Sequence, residues 1–244
     1  MKKTNNTVKN LSTLNQINQL FEDNNTNISQ EIIDKIEYII NNKLIEQEQL
    51  INILITRLII NRKNQTQLDQ IILEKLKKTE ISNIKNKLNI AFNKNIKQFQ
   101  SSIYLKLNYT KLQKLLIHKN FKEADKLTQE YLCKLANLHK QNRKWLYFTD
   151  IPLIPKEDLF TIDLLWQIYS NGKFGFSIQQ KIWKTNNKNW DIFLEKIGWI
   201  EHGRMKRYPD EFIWQIDAPK GHLPLFNQLR GIQVLSYLFE LTLW

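Results

Sequence analysis

Glycine, proline and tryptophan are all absent from the first 144 of the 244 residues; the six glycines, five prolines and seven tryptophans come later. Without helix breakers, that first stretch is expected to form helices joined by short Asn-rich turns. Cysteine occurs once, at Cys133, so no intramolecular disulfide can form and a reducing compartment is implied. The lone thiol is read as a small buried apolar residue. No apolar run approaches the roughly 20 residues needed to cross a bilayer. The N-terminus, MKKTNNTVKN, lacks both the apolar core of a secretory signal and the Ser/Arg bias of a transit peptide. A soluble protein that stays where it is made is the expectation.

Signatures of chemistry are also missing. There is no GxxxxGK[ST] loop, no GxGxxG and no GxSxG elbow. The four histidines, His118, His139, His202 and His222, are too scattered to make a zinc site. Glu157 and Asp158 follow Pro155 at a helix start, where the helix dipole accounts for them without acid/base chemistry. No nucleophile has a base at a telling spacing, so the chain is read as a non-enzyme without a cofactor of its own.

What is present divides by region. The formal charge is +12, and residues 1–140 carry 23 Lys+Arg against 13 Asp+Glu, whereas residues 141–244 carry 13 against 11. Abundant Lys, Asn and Ile beside only four alanines is the imprint of an A+T-rich genome. No acidic residue lies between Glu80 and Glu123, while nine lysines do. This basic stretch, 81–122, is either a solvated face or a surface for an anionic partner. A helical interaction or RNA-binding module built on it is the reading from a different functional class.

Periodicity supplies the elements. Ile32, Ile36 and Ile40 share a helical face, as do Leu50, Leu54 and Leu58; Leu68, Ile72 and Leu76; and Ile81, Ile84 and Leu88. Four short amphipathic helices within residues 29–100 should form a bundle or repeat-like stack, after a flexible N-terminus over 1–28. Thr110 is expected to cap one helix and Asn120 the next, whose apolar stripe is Ala124, Leu127, Tyr131 and Leu135. Short helices follow over Leu159–Tyr169, over Ile178–Trp183 after a Ser177 cap, and over Trp190–Ile197. Phe212, Trp214 and Ile216 alternate as a strand would. The aromatic residues crowded between Trp145 and Trp214 are mostly core, but Gly/Pro turns bearing apolar side chains can also line a cleft for a planar ligand.

The runs EDLFTIDLLWQIYSNGKFGFSIQQKIW (157–183), KIGW (196–199) and APKGHLPLFNQLRG (218–231), together with FKEADKLT and RKWLYFTDIP, resemble the porphyrin-binding domain of the genomes-uncoupled-four family. The resemblance covers residues 107–240; the first hundred residues resemble only the family's variable helical extension. It implies an all-α fold, with an N-terminal helical extension and a C-terminal domain shaped like a cupped hand. It further implies binding of protoporphyrin IX and magnesium protoporphyrin IX, and stimulation of magnesium chelatase in chlorophyll biosynthesis through its large porphyrin-binding subunit. Association with a membrane surface is the other partner it suggests, and nucleic acid is not expected.

Carried over by position, the resemblance assigns Phe148, Ile178 and Phe212 to an apolar palm, with Tyr208 where relatives often have Trp. His222, Leu223 and Asn227 fall on a mobile loop spanning Gly221–Gly231. Asn227 becomes the candidate axial ligand of a porphyrin-bound magnesium, as suits an oxygen-preferring cation. Arg230 matches a basic residue for the propionates. Gln233 stands where many relatives carry a second Arg, so Arg207 or Lys220 is the base that would substitute. The implied location is a plastid, in the stroma or at the stromal membrane surface, with a cyanobacterial cytoplasm as the alternative.

Overall fold

The computed structural model describes residues 21, 28–42, 44–92, 105–138, 143–225 and 232–241. Two units divide the chain, Met1–Asn93 and Lys94–Trp244. In the first, α1 (Gln30–Asn42), α2 (Leu44–Leu54), α3 (Gln67–Lys77) and α4 (Ser82–Phe92) pack together. Their core is Ile36, Leu50, Leu54, Ile72, Leu76 and Ile84, largely the residues that share a face by periodicity.

One stripe departs from its expected register. A π-helix, Ile55–Ile60, continues α2. Its wider turn rotates later residues off the 3.6-residue repeat, so Ile55, Ile59 and Ile60 are buried and Leu58 is only half-buried. The same turn buries Arg57, whose guanidinium meets Asp69 of α3 through Nε at 3.1 Å and Nη2 at 3.2 Å. It also lies 4.1 Å from the ring centre of Phe21, so that residue, within the stretch expected to be flexible, is packed. Asp69 doubles as the partner of Thr66 in a capping box at the start of α3.

In the second unit, α5 (Thr110–Ile117) and α6 (Phe121–Leu135) form the expected hairpin, with Ala124, Leu127, Tyr131 and Leu135 buried. The caps differ from expectation. Thr110 is the first helical residue, its N–H held by Asn108 Oδ1 at 2.8 Å, and Asn120 makes no side-chain cap. A 3-10 turn, Phe148–Leu153, leads into α7 (Lys156–Tyr169). At its start Asp158 is buried and accepts the Tyr109 O–H at 2.5 Å and the Lys106 N–H at 3.1 Å, a tertiary role beyond the dipole preference. The core here is a ring cluster in which Phe121 stacks on Trp166 and meets Phe174 edge-on.

Next come α8 (Phe176–Thr185), α9 (Trp190–Lys196), a hairpin of β1 (Ile200–Glu201) and β2 (Arg204–Met205), and α10 (Gln233–Glu240). Ser177 is not the cap of α8. Asp163 of α7 takes the Ser177 N–H at 3.0 Å, while Gly175, at φ +136°, turns the chain where any Cβ would meet Asp163 Oδ1 at 2.7 Å. The alternation at Phe212, Trp214 and Ile216 is not a strand; the two-residue β1 and β2 pair is the only sheet among the described residues. The fold is all-α as expected. No helix among the described residues is long and apolar enough to cross a membrane.

Candidate functional site

Phe212 is the hub of the site. It is buried, edge-on to Trp199 at 6.3 Å, tilted against Trp214 at 6.3 Å and against the His222 imidazole at 5.6 Å. Trp214 is held by its indole N–H on the Pro209 carbonyl at 2.9 Å. Tyr208 stands edge-on to it, 5.9 Å between ring centres, and is 38% exposed. This packing of rings replaces the strand expected over 212–216. Trp214, which the sequence reading did not single out as a site residue, carries Tyr208 on the buried cluster.

His222 and Leu223 take positions other than those expected. Instead of lying on a mobile loop, residues 221–225 are buried and bonded along their length. The Gly221 N–H donates to the Lys173 carbonyl at 2.9 Å, and the Gly175 N–H donates to the Leu223 carbonyl at 3.0 Å. Gln179 Nε2 reaches the carbonyls of both Gly221 and Pro224 at 2.9 Å. Trp199 Nε1 donates to the His222 carbonyl at 2.8 Å. Physically, a loop most of whose carbonyls and amides find partners in an apolar interior has little to gain by leaving it. Asn227 and Arg230 lie outside the described residues, as does His139.

Ile178 is half-buried on α8, one residue before Gln179, whose amide holds the pinned segment. The following residue, Gln180, donates to the Phe239 carbonyl of α10, and Trp183 packs on the Phe239 ring at 5.5 Å. Phe148 belongs to this second side. It is 37% exposed and tilted against Tyr237 of α10, 5.0 Å between ring centres. Tyr208 is thus joined through the Trp214 ring to Phe212 and on to His222, and Phe148 is joined to α10. α8 links the two sides.

Charges ring the Tyr208 side. Arg204 pairs with Glu211 at 3.4 Å and Lys206 with Glu201 at 3.3 Å, around a groove of about 480 Å³ that also includes His202. Arg207 and Lys220 are exposed, and among the described residues no acidic side chain pairs with either. Burial, and next the Asp125 carboxyl, raise the Tyr208 phenol above its ordinary value. Asp125 itself is buried on α6, with burial lifting its carboxyl to about 8 against the pull of the Leu225 N–H, which donates to Oδ1 at 2.7 Å. The sequence reading missed Asp125. The available signal was an acid four residues after Phe121, on the same buried face as Thr128 and Leu132.

Burial also holds the His222 imidazole below its ordinary value. Nε2 accepts the Ile213 N–H at 3.1 Å, and Nδ1 lies 2.6 Å from the Ile197 carbonyl. With both nitrogens engaged by backbone, this histidine staples the 213 turn to the end of α9. No group of three or more His, Cys, Asp or Glu residues suited to a metal ion is found among the described residues. The site offers a half-exposed ring at Tyr208, further half-exposed rings at Phe148 and Tyr237 on the α10 side, and exposed cations at Arg207 and Lys220. That is chemistry for holding a flat apolar anion.

Comparison with known proteins gives a consistent set of relatives. The family model described as GUN4-like matches residues 101–241. The ycf53 protein of Porphyra purpurea is 45% identical over 214 residues, covering 88% of each chain. The chloroplastic tetrapyrrole-binding protein of Arabidopsis thaliana is 36% identical over 134 residues, covering 51% of each. Among solved structures, GUN4 from Chlamydomonas reinhardtii superposes with a TM-score of 0.53 at 40% identity, covering 57% of this chain and 90% of that one.

Proposed function

The chain belongs to the GUN4-like family, and on that premise we propose that it binds protoporphyrin IX and magnesium protoporphyrin IX, performs no chemical step on them, and stimulates magnesium chelatase by engaging the large porphyrin-binding subunit. The observation that carries this reading is the half-exposed Tyr208 ring standing on the buried Trp214–Phe212–His222 cluster. A macrocycle laid against such a surface loses water from its apolar face, while its propionates stay at the rim. Arg207 and Lys220 supply positive charge to that rim, and Arg230 is the third candidate. Charge-assisted bonds from these groups to the carboxylates would orient the ring.

Phe148 and Tyr237 extend the apolar surface on the α10 side, and Ile178 contributes from α8. His222 and Leu223 act in this reading by shaping the wall from behind, since neither side chain reaches solvent. Asn227 remains the proposed oxygen ligand to the magnesium of the bound porphyrin, and the metal arrives as part of the cargo. A protein that hands its ligand on needs moderate affinity, near micromolar, or about 8 kcal/mol. The relatives named for chloroplasts and the ycf53 relatives support a plastid as the place of action, with the stroma or its membrane surface as the specific site.

The test is a titration of the full chain with protoporphyrin IX and with magnesium protoporphyrin IX, followed by tryptophan quenching and the porphyrin absorption shift. Saturable binding, weakened at least fivefold in Phe148→Ala or Tyr208→Ala, is expected. No saturation with either porphyrin would defeat the reading and bring forward salt-sensitive binding of nucleic acid by the basic stretch 81–122.

A further inference from the structure

Asp125 is an acid on the buried face of α6, and the packing of that helix gives no reason for it. Its neighbours on the face, Phe121, Ala124 and Leu132, are apolar, and Thr128 is satisfied by the Ala124 carbonyl and the Trp166 indole. Lys126, the adjacent cation, is turned outward and bonded to Glu123 at 2.9 Å. Among the described residues no cation pairs with the Asp125 carboxyl. Burying an uncompensated acid is costly, and an asparagine at the same place could accept one amide at lower cost. What the acid does hold is specific. Its Oδ1 takes the N–H of Leu225, a hundred positions further along the chain.

That bond stands apart from the others along 221–225. The remaining anchors come from the turn before α8, from α8 itself, from Trp199, from the Pro219 carbonyl and, through the His222 ring, from Ile197 and Ile213. Asp125 alone among these ties the segment to α6. Tyr208 lies within electrostatic reach of the same carboxyl, second only to burial in raising its phenol.

Resting on the functional reading above, we infer that Asp125 is a positioning residue for tetrapyrrole binding. It sets the spacing between α6 and Leu225, and through that spacing it fixes the wall beside which the exposed Tyr208 ring receives the macrocycle. Its role is not to touch the reacting or metal-bearing centre of the ligand. It decides whether the wall is already in place before the ligand arrives, which removes an ordering cost from binding.

The experiment uses the full chain, with magnesium protoporphyrin IX as the probe. Asp125→Leu, which cannot accept the Leu225 N–H, is expected to raise Kd about tenfold or more and to shift the absorption band of the bound porphyrin. Asp125→Asn keeps an acceptor and should restore Kd to within about twofold of wild type. Asp158→Asn weakens another buried carboxylate anchor, the one on Tyr109 and Lys106, and should lower the melting temperature without moving Kd. Hydrogen exchange across residues 221–225 should accelerate in Asp125→Leu and stay slow in Asp158→Asn. If Asp125→Leu does not fold, Asp125→Glu carries the test, because it keeps the acid but displaces the oxygens by one methylene; an unchanged Kd there overturns the inference. An affinity loss that merely follows melting temperature in both the 125 and 158 variants overturns it as well. Wild-type protein that binds neither tetrapyrrole defeats the functional reading and this role with it, whereas normal wild-type binding with an indifferent Asp125→Leu defeats the role alone.

Discussion

The imidazole Nε2 of His222 accepts the backbone N–H of Ile213 at 3.1 Å, so the ring proton resides on Nδ1, directed at the Ile197 carbonyl. Protonating Nε2 would set two N–H groups against each other in an apolar interior. Burial accordingly holds the folded-state pKa below its ordinary value of 6.5. The sign follows from linkage: the stabilisation is complete above about pH 6.5 and declines as pH falls below it, because the unfolded chain then binds the proton more readily. His222→Phe is expected to be about 1–3 kcal/mol less stable than wild type at pH 7.5, from the orphaned Ile213 amide. Thermal melts from pH 7.5 to 5 should show that gap narrowing, and a constant gap would contradict the tautomer.

Two buried carboxyls act in the opposite direction. Burial raises Asp163 to about 6 and Asp125 to about 8, each against hydrogen bonds that pull it down. A raised folded-state pKa means that the stabilising effect is present below about pH 3.8 and is lost as pH rises, through about 6 for Asp163 and about 8 for Asp125. Asp125→Asn, which cannot ionise, should therefore gain on wild type between pH 5 and 8, with the difference levelling off above that. Melting temperatures of the pair across the range provide the check.

Gly221 begins the pinned segment at φ +80°, and a Cβ there would lie 2.7 Å from Ile182 Cδ1 and 3.0 Å from Ile197 Cγ2. Both the backbone strain and the overlap oppose any side chain. Gly221→Ala is expected to cost about 1–3 kcal/mol. Chemical denaturation should register the loss, and tetrapyrrole affinity should fall if the segment shifts to relieve the overlap.

The π-helix makes a register prediction in the first unit. Ile59 is fully buried while Leu58 is not, so Ile59→Ala should cost about 2–5 kcal/mol and Leu58→Ala clearly less. The reverse order would restore the plain α-helical register. Asp69→Asn, by leaving the buried Arg57 guanidinium without its counter-charge, is expected to cost about 3–5 kcal/mol. Urea unfolding of each variant measures these differences.

Helix positions were legible where one face had a sustained repeat. Ile36, Ile72, Leu76, Leu127 and Leu135 are buried as their spacing requires. Leu58 was misread because the extra residue per turn of a π-helix leaves no mark in composition. Ser177 has the place of a local cap in sequence, whereas Asp163 reaches α8 from α7. The alternation at Phe212, Trp214 and Ile216 has the period of a strand but arises from rings packing on His222 and on each other. Of the expected site residues, Tyr208 and Phe212 each pack on Trp214, while His222 and Leu223 are buried anchors of the 221–225 segment.

Sequence alone determined that this protein is helical, that its breaker-free and aromatic halves differ in style, and to which family it belongs. These follow from local propensity, periodicity and motif order, all of which are written along one dimension. Tertiary structure alone decided that residues 221–225 are pinned, that Tyr208 stands on Trp214, and that Asp125 holds Leu225. The first and last depend on polar atoms finding partners across tens of residues in an apolar interior, where an unmade bond is expensive and chain separation gives no clue to which bond is made, and the second on two rings meeting edge-on in a turn that no local period encodes.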